Sequence, residues 1–105
     1  MNAAMYGKIL RRAAEIVEQG WCQNALARDV NGVFVNMHSL RAVTWCAIGA
    51  FRRAQKELAA PHYEVSVSGV VGIPNIATFN NAPERTADDV ATVFRAAADR
   101  WDAMI

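Results

Sequence analysis

Residues 39–59 place apolar side chains on nearly every side of a helical period. Leu40, Val43 or Thr44, Ala47, Phe51, Ala54 and Leu58 recur every three to four residues, and Trp45, Cys46, Ile48, Gly49 and Ala50 fill the gaps. A helix of that kind has no solvent face in its middle, so neighbours must cover it on several sides. It is expected to be the central element of the fold, stopped by Pro61, which cannot continue a helix. Arg52, Arg53 and Lys56 collect in its last turns, where cations complement the helix dipole.

Two other stretches carry the same period on one side only. In residues 3–19, Met5, Ile9, Ala13, Ile16 and Val17 oppose Lys8, Arg11, Arg12, Glu15 and Glu18, which predicts an amphipathic helix. Gly20 follows where a left-handed cap would end it. Near the other terminus Thr86 and Asp89 form a capping-box pattern, followed by the stripe Val90, Val93, Phe94, Ala97, Trp101 and Met104 or Ile105. Between the helices, residues 25–28 and 33–35 flank Asp29-Val30-Asn31-Gly32 and read as a short β-hairpin near 25–35. Glu64, Val65, Ser66, Val67 and Ser68 alternate like a strand, Gly69, Gly72 and Pro74 interrupt it, and Asn80, Asn81 and Pro83 mark a turn. The expected fold is mainly α, a small α+β domain with three to four helices around the segment at about 39–59.

With 105 residues, the chain fits one domain that buries roughly 65% of its unfolded surface, enough for a core without staples. The longest uncharged stretch, 65–83, holds two prolines, two glycines, two serines and three asparagines, which excludes a membrane span. Residues 1–20 are charged at helical spacing and contain no apolar leader core, so the expected compartment is the cytoplasm. Cys22 and Cys46 are accordingly read as buried free thiols. Residues 1–56 hold eight Lys or Arg against three Asp or Glu, and residues 57–105 three against seven. The simplest account of this imbalance is mutual neutralisation between the halves; the competing account is a dipolar surface that steers a partner.

Three motif segments carry a resemblance: Gly20-Trp21-Cys22-Gln23 through Ala27-Arg28-Asp29, then Trp45-Cys46-Ala47-Ile48-Gly49-Ala50, then Phe79-Asn80-Asn81-Ala82-Pro83-Glu84-Arg85-Thr86. In order and spacing the chain resembles a domain-of-unknown-function family of small phage, prophage and bacterial proteins with the pattern GWxQxAxARD, WCxxGA and WNDxPxRT. Phe79 stands where that pattern has Trp and Asn81 where it has Asp; if the acidic position carried chemistry, Asn81 would lack it. The resemblance implies a fold and a phage context, and no activity.

Candidate chemistry is sparse. Cys22 with His38 is the only pairing that could make a thiolate nucleophile, and no flanking signature of a cysteine hydrolase accompanies it. Cys22, His38, Cys46 and His62 are spaced too irregularly for a structural zinc site, so neither metal nor cofactor is expected. Gly69-Val70-Val71-Gly72 lacks the lysine of a phosphate loop. Arg11, Arg12, Arg52, Arg53 and Lys56 have no interleaved aromatic residues, so the basic residues suit a protein partner better than nucleic acid.

The richer constellation is Gln23, Arg28, Asp29, Asn80, Asn81, Arg85 and Thr86 beside Trp21, Trp45 and Phe79. It reads first as an internal polar brace. Its second reading is a ligand pocket in which Trp21, Gln23, Arg28, Asp29, Asn81 and Arg85 would contact a small molecule such as a nucleotide. The function expected first is a noncatalytic interaction module acting on another protein; by analogy with phage proteins of this size, this includes an inhibitor of a host defence complex of the CRISPR type. A small-ligand binder or minor enzyme is the alternative, and a homo-oligomer the third.

Overall fold

A computed structural model describes residues 3–58 and 65–105. The elements run α1 (Ala3–Gln19), β1 (Ala27–Arg28), β2 (Thr44–Trp45), α2 (Ala47–Glu57), α3 (Val67–Val71), α4 (Ile76–Asn81) and α5 (Ala87–Asp102). The chain is mainly helical with one small antiparallel sheet, as its patterning predicts. Pro61, His62 and Glu64 lie outside the described residues, and with them the expected stop signal and the start of the expected strand.

The hub is α1 rather than α2. It packs along α5 on one side and α2 on the other, and Ile9, Leu10, Ala13, Ala14, Ile16 and Val17 are essentially inaccessible to solvent. Phe51 of α2 and Phe94 of α5 fill the two contacts, and alanines at 47, 50, 54, 91, 97 and 98 allow the helices to approach closely. Charge closes the rim across the two halves of the sequence. Arg11 reaches Asp99 and Asp102, Arg12 reaches Glu57 at 2.6 Å, and Arg95 grips Glu18 through both carboxylate oxygens at 2.7 Å. The Arg12 hydrogen bond holds the Glu57 carboxyl below its ordinary range, and Arg95 does the same for Glu18. The charge imbalance is thus neutralised internally in large part.

The central helix is shorter than its period suggests. It opens at Ala47 with Cys46 as N-cap, the Cys46 sulfur accepting from the Gly49 N–H. Residues 39–46 are not helical: Ser39 and Ala42 sit in turns, and Thr44 and Trp45 pair with Arg28 and Ala27. The Trp45 ring is buried as expected, and its Nε1–H donates to the Met37 carbonyl at 3.1 Å. Leu40, assigned to the apolar stripe, is instead 97% exposed.

The hairpin is also rearranged. The Asp29–Gly32 turn forms, with Gly32 at φ +80°, but the return strand contributes only one bridge, Phe34 to Arg28. The main partner of β1 is β2. Trp21 adds a parallel bridge on the far side of Trp45. Four extended pieces therefore lie side by side, in the order 20–22, 43–46, 26–29 and 33–35. Gly20 is not left-handed; its role is close approach, since a Cβ there would lie 2.1 Å from the Val43 carbonyl oxygen. Gly49 does the same at the start of α2, where a Cβ would lie 2.1 Å from the Leu26 carbonyl oxygen.

From residue 65 onward, the expected β alternation is replaced by α3, capped by Ser66 at one end and Gly72 at φ +83° at the other. Asn75 caps α4, and Asn80 and Asn81 belong to the end of that helix; the expected turn ahead of the last helix begins after them, at Ala82–Arg85 around Pro83. The Thr86–Asp89 capping box at the start of α5 is present in both directions. Trp101 anchors the other end of α5 by donating to the Val70 carbonyl at 2.8 Å. Among the described residues no helix is long and apolar enough to cross a membrane.

Candidate functional site

The polar constellation assembles around Asn80, which is 1% exposed. Ile76, Phe79 and Asn80 share one face of α4, and that face turns inward against the 21–25 segment. Asn80 Oδ1 accepts from Trp21 Nε1 at 2.8 Å and from the Ala47 N–H at 2.9 Å. Its Nδ2 donates to the Cys22 carbonyl at 3.1 Å and to Asn81 Oδ1 at 3.0 Å. One amide thus ties together α4, the segment after α1 and the first residue of α2. All four hydrogen-bonding positions of the side chain are used.

The remaining members extend the same knot. Gln23 Nε2 donates to the Asn80 and Ala82 carbonyls at 3.1 and 2.8 Å. Asn81 Oδ1 also accepts from the Asn24 N–H at 2.9 Å, and Asn24 takes a left-handed φ of 62° to present it. Arg85 donates through Nε to the Phe79 carbonyl at 2.8 Å and stacks 3.7 Å from the Phe79 ring centroid. Arg28 bonds the Gly32 and Gln23 carbonyls and lies 4.6 Å over the Phe34 ring. Asp29 Oδ1 accepts from the Asn31 and Val33 N–H groups, both at 2.9 Å. Gln23, Asn81, Arg85 and Trp21 are brought together, while Arg28 and Asp29 belong to the neighbouring turn. Each of these side chains makes at least one hydrogen bond to protein, which suits a brace. The neighbouring cleft, about 230 Å³, is lined by Ala25, Leu26, Cys46, Ile48, Ala77, Asn80 and Asn81; its two polar members are already committed to the knot.

The thiols are structural in their contacts. Cys22 donates to the Ala25 carbonyl at 3.6 Å, and burial pushes the Cys46 thiol up. Burial lowers the His38 pKa, with Lys56 and Arg53 adding to the effect. Both charged groups that contribute to this shift are cations. Among the described residues no group of three or more His, Cys, Asp or Glu side chains could hold a metal.

The expected basic contact residues are divided. Arg11 and Arg12 are ion-paired on α1. Arg52 bonds Gln55 and the Val65 carbonyl. Arg53 binds Glu57 and the Met37 and Ser39 carbonyls, and lies 5.5 Å from the Trp45 ring centroid. Lys56 is exposed.

A surface that the helical period concealed lies on the arm at residues 26–43. Val30 is 83% exposed, Phe34 67% and Leu40 97%, with Leu26, Val33 and Val43 about half exposed. Val30, Leu40 and Val43 line a groove of about 420 Å³ together with Asp29, Asn31 and Arg41. The arm is nevertheless firmly tied. Asp29 closes its first turn, Asn36 Oδ1 accepts from the His38 N–H at 2.8 Å, and Ser39 Oγ from the Arg41 N–H at 3.0 Å. Trp45 and Arg53 fasten the Met37 carbonyl from below. Isolated apolar residues at a surface are ordinary, and it is contiguous apolar patches that call for a partner.

The chain belongs to the family described as Family of unknown function (DUF6197), whose model matches residues 1–100. No curated protein and no solved structure matches it.

Proposed function

We propose that this member of the family is a noncatalytic interaction module whose contact surface is the apolar arm at residues 26–43. The observation that carries the reading is the contrast within the arm: its main chain is held by turns and bridges, yet Val30, Phe34 and Leu40 face solvent. Ordering exposed apolar side chains brings no folding benefit by itself, and a partner that covers them recovers about 25 cal/mol per Å² of apolar surface. The ligand-pocket alternative is less favoured because the polar groups of Trp21, Gln23, Asn81 and Arg85 are engaged with the protein itself. A phage or prophage origin, and a host defence complex as the target, are supported by the motif resemblance alone. Cytoplasmic location belongs to the same reading.

Photo-crosslinking tests the surface directly. A photoreactive side chain placed at position 40 is expected to trap a second protein in cells expressing the full chain, and one at Thr92, exposed on α5, is not. Equal trapping at both positions, or none at position 40, overturns the assignment.

A further inference from the structure

The four-piece ribbon has two edges. Segment 20–22 continues directly from α1, with the Gly20 N–H still bonded to the Ile16 carbonyl. The other edge, 33–35, is open. The Asp29 N–H donates to the Val33 carbonyl at 2.9 Å and the Val35 N–H to the Ala27 carbonyl at 3.2 Å. Phe34 and Arg28 therefore form a non-hydrogen-bonded antiparallel pair, in which the N–H and C=O of Phe34 turn away from β1. Neither group has a hydrogen-bond partner among the described residues.

Open edges are usually guarded by charge, proline or a bulge. Gly32-Val33-Phe34-Val35-Asn36 contains neither a charge nor a proline, and Val33 and Phe34 are 57% and 67% exposed. We propose that a second copy of this chain adds to this edge, antiparallel, about a two-fold axis at Phe34. The inference rests on the interaction-module reading and names one partner for the arm.

Self-pairing is favoured by what the edge offers. With Phe34 opposite Phe34 of the second copy, the single outward N–H and single outward C=O of each strand satisfy each other reciprocally, as an isologous contact requires. Val33 then falls opposite Val35, and both rings lie on one face of the extended sheet. No charged residue of either edge strand meets its like. The nearby Arg28 guanidiniums remain drawn to their own Gly32 and Gln23 carbonyls. A net charge of +1 leaves little repulsion between copies. Five residues of paired strand cover less than the roughly 1,000 Å² of a lasting interface, so the dimer is reversible and concentration-dependent.

Analytical ultracentrifugation of the full chain, from low micromolar to near-millimolar concentration, is expected to show mass rising from monomer toward dimer. Phe34→Lys, checked for an unchanged circular dichroism spectrum, is expected to weaken the association at least tenfold by setting two cations opposite each other; Thr92→Asp, exposed on α5 away from the edge, is expected to leave it intact. In the unmodified protein, hydrogen exchange at the Phe34 amide should slow with concentration, while that at Val35, already bonded to Ala27, should not. A monomer at every concentration, a concentration-independent Phe34 amide, or a dimer that Phe34→Lys leaves intact overturns the edge pairing. Crosslinking of a different protein at position 40 survives all three results, so failure of the dimer remains separate from failure of the module reading.

Discussion

In the layer formed by α1, α2 and α5, apolar side chains face inward and arginine–carboxylate pairs form the rim. In the arm at residues 26–43 several large apolar side chains turn the other way: Val30, Phe34 and Leu40 face solvent, and the segment is held by backbone bonds and by the short side chains of Asp29, Asn36 and Ser39. The two regions meet where Arg53 of α2 donates to the Met37 and Ser39 carbonyls and at the Gly49–Leu26 approach. The layer derives its stability from burial, and the arm derives its shape chiefly from hydrogen bonds within itself.

If that division is right, substitutions should rank by region. Phe51→Ala removes a ring with no solvent exposure and is expected to cost about 3–5 kcal/mol in denaturant unfolding; a loss under about 1 kcal/mol would break the comparison at its stronger half. Asn80→Ala tests the knot that ties α4 and residues 21–22 to the start of α2. It leaves Trp21 Nε1 and the Ala47 N–H without their acceptor, and stranding two donors is expected to cost about 2–4 kcal/mol. It should also loosen residues 21–25, visible as faster hydrogen exchange there. The smallest effect belongs to the arm surface. Leu40→Asp is expected to change unfolding free energy by no more than about 0.5 kcal/mol, and a larger loss would show that Leu40 contributes to the core after all.

Those same regions differ in how well the sequence discloses them. The layer is readable because a helix writes its burial into a period: the stripes of α1 and α5 and the Thr86–Asp89 box are found where pattern and capping chemistry place them. The period misleads at residues 39–46, where Leu40 and Val43 keep helical spacing but Thr44 and Trp45 are claimed by β1. That pairing is long-range and leaves no local mark. Tertiary contact also explains Gly20, whose missing Cβ admits a strand and not a left-handed cap. Asn80 was within reach: Ile76, Phe79 and Asn80 stand at helical spacing, so an asparagine on a buried face required satisfied partners. Its neighbours Asn81 and Pro83, common turn residues, pointed the other way. The braced character of Gln23, Asn81 and Arg85 agrees with the first of the two readings of those residues.

The arm is fastened through peptide groups and through the short side chains of Asp29, Asn36 and Ser39, leaving the side chains at positions 30, 33, 40 and 43 half to almost wholly exposed. Such side chains can be rewritten without renegotiating the interior, so on the interaction-module reading proposed above relatives can diverge in what they recognise while preserving one scaffold. Saturation libraries at these four sites would then return folded proteins with altered binding preference, whereas the same libraries at positions 10, 51 and 94 would return few folded proteins at all.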